Sequence, residues 1–275
     1  MNLYPSFRQG QSPSPFKGRI WLIGGTQESA HLALAIVDAN KPCTISVTTK
    51  SACTLYPQAP NLQVWVGRFT LSQIEEFLQQ QQIVAILDAS HPYAVEISQN
   101  AIALSQKLQI PYLRYERPVL EQLSDVQVKG CNLDSFDALV ADDYLEGQRV
   151  LLTVGYRPLH LFQPWQDRST LFARILPSAI ALAAATSSGF TPDRLICLRP
   201  PISADLEKAL WRQWNISLVV TKASGTPGGE DIKRTVAIEL GIPLILINRP
   251  TIKYPQQTSD FSEALEFCCQ QFPHF

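Results

Sequence analysis

Short runs of apolar residues alternate with segments of helical periodicity along most of the chain. In the first half the pattern predicts strands at residues 19–23, 44–48, 63–66, 83–88 and 112–115, with helices near residues 27–40, 71–81 and 95–108. A polar, Asp-rich stretch over residues 133–147 predicts a linking helix. Strands then follow at residues 150–154, 171–175, 195–198, 218–221 and 244–247, with helices between them. This βαβ alternation is typical of an open parallel sheet with helices on both faces.

Two segments echo each other and indicate a two-lobed chain. Residues 110–118 read IPYLRYERP and residues 242–250 read IPLILINRP, and each segment follows an apolar strand and a helix. We therefore predict an α/β fold of two Rossmann-like lobes, each an open, mostly parallel sheet flanked by helices, with a cleft between the lobes. The predicted lobes cover residues 18–147 and 148–275. Residues 1–17, rich in Pro, Ser and Gln, are predicted to be a disordered lead-in.

Composition limits the classes of function. Of the 275 residues, 45% are hydrophobic and 17% are charged, and the formal net charge is −1. Because no overall electrostatic field favours an anionic polymer or surface, we expect neither a nucleic-acid nor a membrane partner. The longest apolar run, around residues 180–185, is far shorter than the ~20 residues that a membrane span needs. We expect a monomer or a weak homo-oligomer.

Six cysteines and four histidines form no metal-binding pattern. The chain has no Cys-x-x-Cys pair and no paired Cys/His spacing of the zinc type, so we predict no protein-bound metal. The adjacent Cys268 and Cys269 are interpreted as small apolar residues of a C-terminal helix, with a redox-active pair as the alternative. This cysteine usage predicts a reducing compartment and therefore a cytoplasmic protein.

Polar side chains follow the predicted strand at residues 83–88, where the chain reads DASHPY. In an open parallel sheet, ligands bind beyond the carboxyl ends of the strands. Asp88 and Ser90 are explained by helix capping alone, but capping does not require His91 or Tyr93. The counterpart in the second lobe is the Gly-rich segment TKASGTPGGEDIK at residues 221–233, which is suited to receive an anion before a helix. Both segments are therefore candidate functional loops.

The first strand and helix are joined by Gly24, Gly25 and Thr26. Small residues at this position allow a tight turn and the close approach of a pyrophosphate to the helix N-terminus. The turn is a degenerate form of the dinucleotide fingerprint, because the strict G-x-G-x-x-G pattern is absent and Ser29 takes the last small position. Glu28, in the first helical turn, is a further candidate cofactor contact, and it favours the helix dipole whatever its function. The alternative is an ordinary structural turn.

The end of the second strand favours NADPH as the cofactor. An NAD-specific fold places a carboxylate there, on the ribose 2′-hydroxyl, but no Asp or Glu occurs between Asp38 and Glu75. Thr49, Lys50 and Ser51 instead offer hydroxyl groups and a cation that suit a 2′-phosphate, with Arg68 as a further candidate contact. The alternative for Lys50 is a solvated surface charge. The lobe at residues 18–147 is accordingly predicted to bind NADPH.

Several basic residues fall at the predicted carboxyl ends of strands. In a chain of near-zero net charge, this placement predicts a basic rim around one cleft, suited to a substrate with several carboxylates. The basic rim comprises Arg114, Arg117, Arg174, Arg199, Lys222 and Arg249.

At this point the sequence resembles a known family. The segments LIGGTQES, DASHPYAVEISQNA, PYLRYERP and VVTKASG, followed by LGIPLILINRP, are similar to precorrin-6A reductase, the NADPH-dependent reductase of corrin-ring (vitamin B12) biosynthesis. The resemblance runs from about Arg19 to Pro250. It implies two Rossmann-like domains with the cofactor and a macrocycle between them. It also implies hydride transfer to a C=C bond of a polycarboxylate tetrapyrrole-derived substrate, precorrin-6A or its cobalt form.

The resemblance also implies roles for individual residues. Asp88, His91, Tyr93, Lys222 and Ser224 are expected to face the reaction centre, with Ser90 near the cofactor. Gly225 and Lys233 are expected to bind the substrate together with Arg114, Arg117, Arg174 and Arg199. His91 is the first candidate for the proton donor and bulk water is the alternative. The family usually carries Asn or Asp after the lysine of the second-lobe turn, and Ala223 stands there instead.

Two other functions are compatible with parts of the pattern. A short-chain dehydrogenase would begin with a similar Gly-Gly-Thr turn, but no tyrosine of this chain has a lysine four residues later. A two-lobed binding protein without catalysis would need no cofactor turn and would show no ligand-dependent NADPH oxidation. A P-loop phosphotransferase is excluded because the chain lacks G-x-x-x-x-G-K-[ST].

Overall fold

The computed structural model describes residues 6–7, 18–120 and 130–272. Two compact units divide the chain: Met1–Arg117 with Thr251–Phe275 form the first, and Pro118–Pro250 form the second. The elements up to residue 115 are β1 (Ser6–Phe7), β2 (Arg19–Ile23), α1 (Gln27–Asp38), β3 (Cys43–Val47), β4 (Leu62–Val66), α2 (Leu71–Gln80), β5 (Ile83–Asp88), α3 (Val95–Leu108) and β6 (Tyr112–Tyr115).

The elements of the second unit are β7 (Gly130–Leu133), α4 (Phe136–Ala141), β8 (Arg149–Leu152), β9 (Thr170–Ile175), α5 (Ala179–Ser187), β10 (Leu195–Cys197), α6 (Ala204–Gln213), β11 (Leu218–Lys222), α7 (Glu230–Leu240) and β12 (Leu244–Ile247). The chain then returns to the first unit with β13 (Gln257–Thr258) and α8 (Phe261–Gln270). Short 3₁₀ helices occupy several of the connections, including Lys50–Leu55 after β3.

The sheet of the first unit has the strand order β1-β4-β3-β2-β5-β6-β13. All neighbours are parallel except β1, which pairs antiparallel with β4. From β2 the chain proceeds outward through β3 and β4 on one side, and then through β5 and β6 on the other. The topological switch point, where a doubly wound sheet binds its ligand, therefore lies between the carboxyl ends of β2 and β5.

The sheet of the second unit has the order β10-β9-β8-β11-β12-β7, and all of its pairs are parallel. Here β8 takes the place of β2, so the second switch point lies between β8 and β11. The two segments that echo each other in sequence contain β6 and β12, which occupy equivalent places in the two sheets. The predicted α/β fold with two Rossmann-like sheets is confirmed.

Burial on both faces explains why β2 is a continuous apolar run rather than an alternating one. Successive side chains of a strand point to opposite faces. Ile20 and Leu22 pack in the cluster that contains α1 and Cys268 of α8, whereas Trp21 and Ile23 pack against α2 and α3. Cys268 is fully buried, which confirms its interpretation as a small apolar residue of the C-terminal helix.

The two compact units divide the chain at other residues than the predicted boundary after residue 147. Strand β7 pairs with β12 in the second sheet, and β13 pairs with β6 in the first, so each unit includes a segment assigned by sequence to the other. The predicted disordered lead-in at residues 1–17 lies outside the described residues, apart from Ser6–Phe7, which form β1. No helix in the described part of the chain is long and apolar enough to cross a membrane.

Candidate active site

Two turns meet at the switch point of the first unit. The chain leaves β2 at Ile23 and enters α1 through residues 24–26, and it leaves β5 at Asp88. The Thr26 hydroxyl donates a hydrogen bond to the Ala89 carbonyl at 2.9 Å, and the Ala89 amide donates to the Ile23 carbonyl at 3.1 Å. These bonds join the predicted cofactor turn to the predicted catalytic loop.

The geometry of the first turn fits a pyrophosphate. Thr26 and Ser29 form a capping box in which each side-chain oxygen accepts from the other's amide, at 3.1 and 3.0 Å. Gly25 has φ +104°, which favours glycine, and a Cβ on Gly24 would overlap the Tyr56 hydroxyl. The turn therefore needs two glycines in succession, and it leads into a helix N-terminus, where an anion is favoured.

The predicted 2′-phosphate contacts lie on exposed backbone next to this turn. Thr49, Lys50 and Ser51 follow β3 and are exposed, and the Thr49 and Ser51 hydroxyls are 3.2 Å apart. The amide of Gly67, at the end of β4, donates to the Val47 carbonyl at 2.9 Å, so exposed Arg68 follows the adjacent strand. Hydroxyl groups and two cations thus share the carboxyl edge of β3 and β4.

Glu28 and Arg117 pair with each other. The Arg117 Nε lies 3.0 Å from Glu28 Oε1, and Arg117 Nη2 donates to Oε2 at 3.1 Å. Only 8% of the Arg117 side chain is exposed. The guanidinium group of Arg117 is therefore held by a carboxylate at the start of α1, and its predicted substrate contact stays a prediction. Glu28 likewise faces Arg117, which leaves its predicted cofactor contact as a proposal.

Asp88 is fully buried and accepts four hydrogen bonds. Its Oδ1 accepts from the Ser90 amide at 3.0 Å and from Arg114 Nη1 at 2.9 Å. Its Oδ2 accepts from the hydroxyls of Ser98 at 2.6 Å and Tyr112 at 2.7 Å. Contrary to the expected orientation, the Asp88 carboxylate faces protein donors and fixes the loop that follows β5, and its predicted catalytic role stays a prediction.

Arg114 is also buried, with 1% of its side chain exposed. Besides Asp88 it binds Glu116 at 2.8 Å, donates to the Ser90 hydroxyl oxygen at 3.1 Å, and lies over the Tyr254 ring. A buried guanidinium group requires such counter-charges, so Arg114 is held within the first unit, and its predicted substrate contact stays a prediction. Burial, and after it the charge of Asp88, raise the pKa of Tyr112, so its phenol stays protonated and donates.

His91 is the exposed titratable group of this loop. Its Nδ1 accepts from the Tyr93 amide at 3.3 Å, and the two rings are 5.7 Å apart. Because Nδ1 accepts, a neutral His91 ring carries its proton on Nε2. Ser90, in contrast, is buried and bonded to Arg114, so its side chain helps to hold the loop.

The second candidate loop, at residues 222–229, is held by two charged residues of α7. The Lys233 ammonium donates to the carbonyls of Gly228 and Gly229, each at 2.8 Å, and is only 2% exposed. The Gly225 amide donates to Glu230 Oε2 at 2.8 Å. Both groups are bonded within the turn, where they fix its shape, and the substrate contacts predicted for Lys233 and Gly225 stay predictions.

Lys222 and Ser224 remain as functional candidates of this loop. The Lys222 ammonium lies over the Phe136 ring, 5.6 Å from its centroid. Burial, and after it the positive charge of Arg157, lower the pKa of Lys222 to about 8. The Ser224 side chain is buried, and a Cβ on Gly228 would overlap its hydroxyl, so the turn is closed tightly around it.

Two more members of the predicted basic rim are engaged within the second unit. Arg174 Nη1 lies 2.6 Å from Glu207 Oε1, and this pair is buried. Arg249 Nε donates to the Ala223 carbonyl at 2.8 Å. Both guanidinium groups are thus bonded to groups of their own unit, and their predicted substrate contacts stay predictions. Arg199 follows β10 and is exposed, so its predicted role stays a prediction.

The chain matches the family model described as Precorrin-6x reductase CbiJ/CobK over residues 19–269. It belongs to this family. A relative from Synechocystis sp., named cobalt-precorrin-6A reductase, is 46% identical over 254 residues, which is 92% of this chain and 97% of the relative. A precorrin-6A reductase from Rhodococcus erythropolis is 31% identical and covers 88% of this chain and 93% of its own length.

A solved structure of a precorrin-6A reductase, CobK, supports the fold. It matches with a TM-score of 0.75 at 23% identity, over 92% of this chain and 97% of that one. The resemblance predicted from the sequence motifs is thus confirmed. The roles of individual residues in this member of the precorrin-6x reductase family are inferred from the contacts that they make in its own structure.

The sequence interpretation missed one candidate feature in each unit. The turn after β8 is the counterpart of residues 24–26, and Thr153 joins it to β11 by donating twice to the Val220 carbonyl, at 2.9 and 3.2 Å. Exposed Arg157 lies in this turn. The other residue that was missed is Tyr56, whose hydroxyl contacts Gly25 and Ser29 of the first turn. Aligning the two echoing halves strand by strand would have found Arg157, whereas nothing in the local sequence indicates Tyr56.

Proposed function

We propose that this chain is an NADPH-dependent reductase that transfers a hydride to a C=C bond of precorrin-6A or cobalt-precorrin-6A in cobalamin biosynthesis. The observation that carries the cofactor assignment is the carboxyl edge of β2 and β3. There a two-glycine turn stands beside exposed hydroxyls and Lys50, and the sequence has no carboxylate between Asp38 and Glu75. Membership of the reductase family supports the macrocycle as substrate.

The residues at this edge fit NADPH. Gly24, Gly25 and the N-terminus of α1 would receive the pyrophosphate, and Thr49, Lys50 and Ser51, with Arg68, would receive the 2′-phosphate. When bound, the nicotinamide supplies the hydride. The protein's own part is to orient that cofactor and to provide a proton for the neighbouring carbon.

His91 is the group that we assign to the proton. It is exposed on the loop at the switch point, and Asp88, Arg114 and Tyr112 hold the start of that loop from within the core. An imidazole titrates near neutral pH, so it can hold a proton and release it to a carbon within hydrogen-bond reach. Asp88 is then a positioning residue. The catalytic roles predicted for Tyr93 and Ser224 stay predictions.

Lys222 and Arg157 are proposed to bind a carboxylate of the macrocycle. They belong to the two turns that flank the second switch point, after β11 and β8, and they lie near enough for the charge of Arg157 to lower the pKa of Lys222. Two neighbouring cations favour an anion beside them. The predicted basic rim assigned the binding of substrate carboxylates to Arg114, Arg117 and Arg174 as well. We propose Lys222 and Arg157 for this binding.

Three finer statements are proposals of the same kind. The relatives include both cobalt-precorrin-6A and precorrin-6A reductases, and we propose that either form of the macrocycle is accepted. A cytoplasmic location is proposed from the cysteine usage. A monomer or weak homo-oligomer stays the expectation for the assembly.

We expect NADPH to be preferred over NADH. One charge-assisted hydrogen bond to the 2′-phosphate contributes about 1.5–3 kcal/mol, which corresponds to roughly 10- to 100-fold in affinity. Lys50→Glu should remove most of the preference by repelling that phosphate. The measurement is kcat/KM for both cofactors in the unmutated chain and in the variant.

The control for Lys50→Glu is Lys253→Glu, which makes the same change of charge at an exposed lysine of the same unit that lies in none of the candidate turns. This control should keep the NADPH preference. Equal kcat/KM for NADPH and NADH in the unmutated chain would show that the cofactor assignment is wrong.

The pKa of about 8 for Lys222 predicts a pH dependence of macrocycle binding. Below this pH the ammonium is charged and attracts a carboxylate, and above it the charge is lost, so the KM for the macrocycle should rise between about pH 7.5 and 9. Lys222→Arg should remove the rise, because arginine stays charged throughout this range. Steady-state kinetics at saturating NADPH measures it. The same rise in the arginine variant would assign the pH dependence to another group.

A further inference from the structure

Tyr56 lies directly behind the proposed cofactor turn. It is 4% exposed, and its hydroxyl oxygen accepts from the Gly25 amide at 2.7 Å. The same hydroxyl is 2.7 Å from Ser29 Oγ. The Tyr56 phenol therefore contacts both the turn and the first turn of α1.

The hydrogen bonds around Ser29 settle which group donates. The Ser29 hydroxyl donates to the Thr26 carbonyl at 2.7 Å, and its oxygen accepts from the Thr26 amide at 3.0 Å. Because the single Ser29 proton is used in this way, the Tyr56 hydroxyl must donate to Ser29 Oγ. Burial raises the pKa of Tyr56, so the phenol keeps its proton for this bond.

This network explains why the dinucleotide fingerprint is degenerate. Ser29 stands where the strict pattern has its last glycine, and it is fully buried. A glycine at that position serves close packing between helix and strand. Here a hydroxyl takes the position, and it accepts the proton of Tyr56. The Tyr56 phenol and Ser29 therefore form a hydrogen-bonded pair. A glycine at position 29 has no side-chain oxygen and could not form this bond.

Tyr56 also belongs to the segment that carries the proposed 2′-phosphate contacts. Thr49 precedes the 3₁₀ helix Lys50–Leu55, and Tyr56 is its C-terminal cap, with its amide donating to the Cys53 carbonyl at 3.2 Å. Cys53 packs in the core of the first unit. One anchored segment of eight residues, 49–56, thus contacts the pyrophosphate turn at one end and offers Lys50 at the other.

We propose that Tyr56 is a positioning residue for the cofactor pyrophosphate: its phenol fixes the Gly25 amide and Ser29 so that the turn is ready to receive the diphosphate. This inference rests on the proposed function, because it takes NADPH as the ligand of the turn. Since NADPH and NADH share the pyrophosphate, the phenol acts on both cofactors alike. Lys50, in contrast, acts on NADPH alone.

The test is binding of NADPH and of NADH to the full chain, followed by the fluorescence of the reduced nicotinamide without any macrocycle. Tyr56→Phe keeps the buried ring but leaves the Gly25 amide without its acceptor. Losing this bond should raise both dissociation constants by the same factor, roughly 5- to 30-fold. Their ratio should stay unchanged. In Lys50→Ala only the NADPH constant should rise.

Two further variants complete the design. Ser29→Ala removes the acceptor of the Tyr56 proton and should also weaken both cofactors, so it tests the network if Tyr56→Phe folds poorly. Tyr144→Phe removes an exposed phenol of the second unit and should change neither constant. Unchanged constants in folded Tyr56→Phe, or a change in NADPH alone, would overturn the inference while NADPH binding by the unmutated chain upheld the proposed cofactor. Failure of the unmutated chain to bind either cofactor would overturn both.

Discussion

Replacing Asp88 with alanine is expected to lower the free energy of unfolding by about 3–5 kcal/mol, because it leaves a buried charge without its partner. The carboxylate is fully buried and accepts from Arg114, Tyr112, Ser98 and the Ser90 amide. Without it, the Arg114 guanidinium keeps Glu116 but loses its deeper counter-charge. If Asp88 faced the reaction centre, as the sequence resemblance implied, the same change would lower turnover more than it lowers stability.

Urea or thermal unfolding of Asp88→Ala measures this effect. The control is Asp38→Ala, which removes an exposed carboxylate at the end of α1 in the same unit; it should change stability by no more than about 0.5 kcal/mol. A loss below about 1 kcal/mol for Asp88→Ala, together with a large fall in kcat, would contradict the structural role and restore a direct catalytic one.

Replacing His91 with alanine is expected to lower kcat by roughly 10²- to 10⁴-fold, the usual contribution of a general acid. His91 is exposed, so the melting temperature should change little. The measurement is turnover at saturating NADPH and macrocycle, beside a melting curve of the same preparation.

The control for His91 is His31→Ala, which removes an exposed imidazole on α1 of the same unit. It should keep normal turnover and a normal melting temperature. If His91→Ala retains kcat within a few-fold of the unmutated chain, the proton comes from water and the loop has no acid of its own.

The fold was predictable where each strand carried its own signal. The run RIWLI followed by two glycines predicted β2 and its turn, and the structure confirms the strand. The exchange of β7 and β13 between the units was not predictable. The four residues of β7 alternate between exposed and partly buried and β13 has only two residues, so the pattern of either segment is too short to stand out in the sequence. Their sheets are decided by long-range pairing, which local sequence does not encode.

The candidate site was predictable in its loops but not in its charges. The loops at the carboxyl ends of β2 and β5 were found from the predicted strands and the small or polar residues that follow them. The partners of the predicted basic rim were not: Asp88, Glu28 and Glu207 are separated from their arginines by 26, 89 and 33 residues. An arginine looks the same in sequence whether it faces solvent or a distant buried carboxylate. Such pairs become visible only in the folded structure.

Deuterium transfer tests the central claim most directly. The unmutated chain is mixed anaerobically with NADPH deuterated at the reactive position of the nicotinamide, in parallel with precorrin-6A and with its cobalt form. The proposed function predicts oxidation of one NADPH for each macrocycle reduced, with one deuterium found in the product by mass spectrometry. If NADPH binds but neither macrocycle is reduced, or if the product forms without deuterium, the assignment of this chain as an NADPH-dependent reductase of the macrocycle is contradicted.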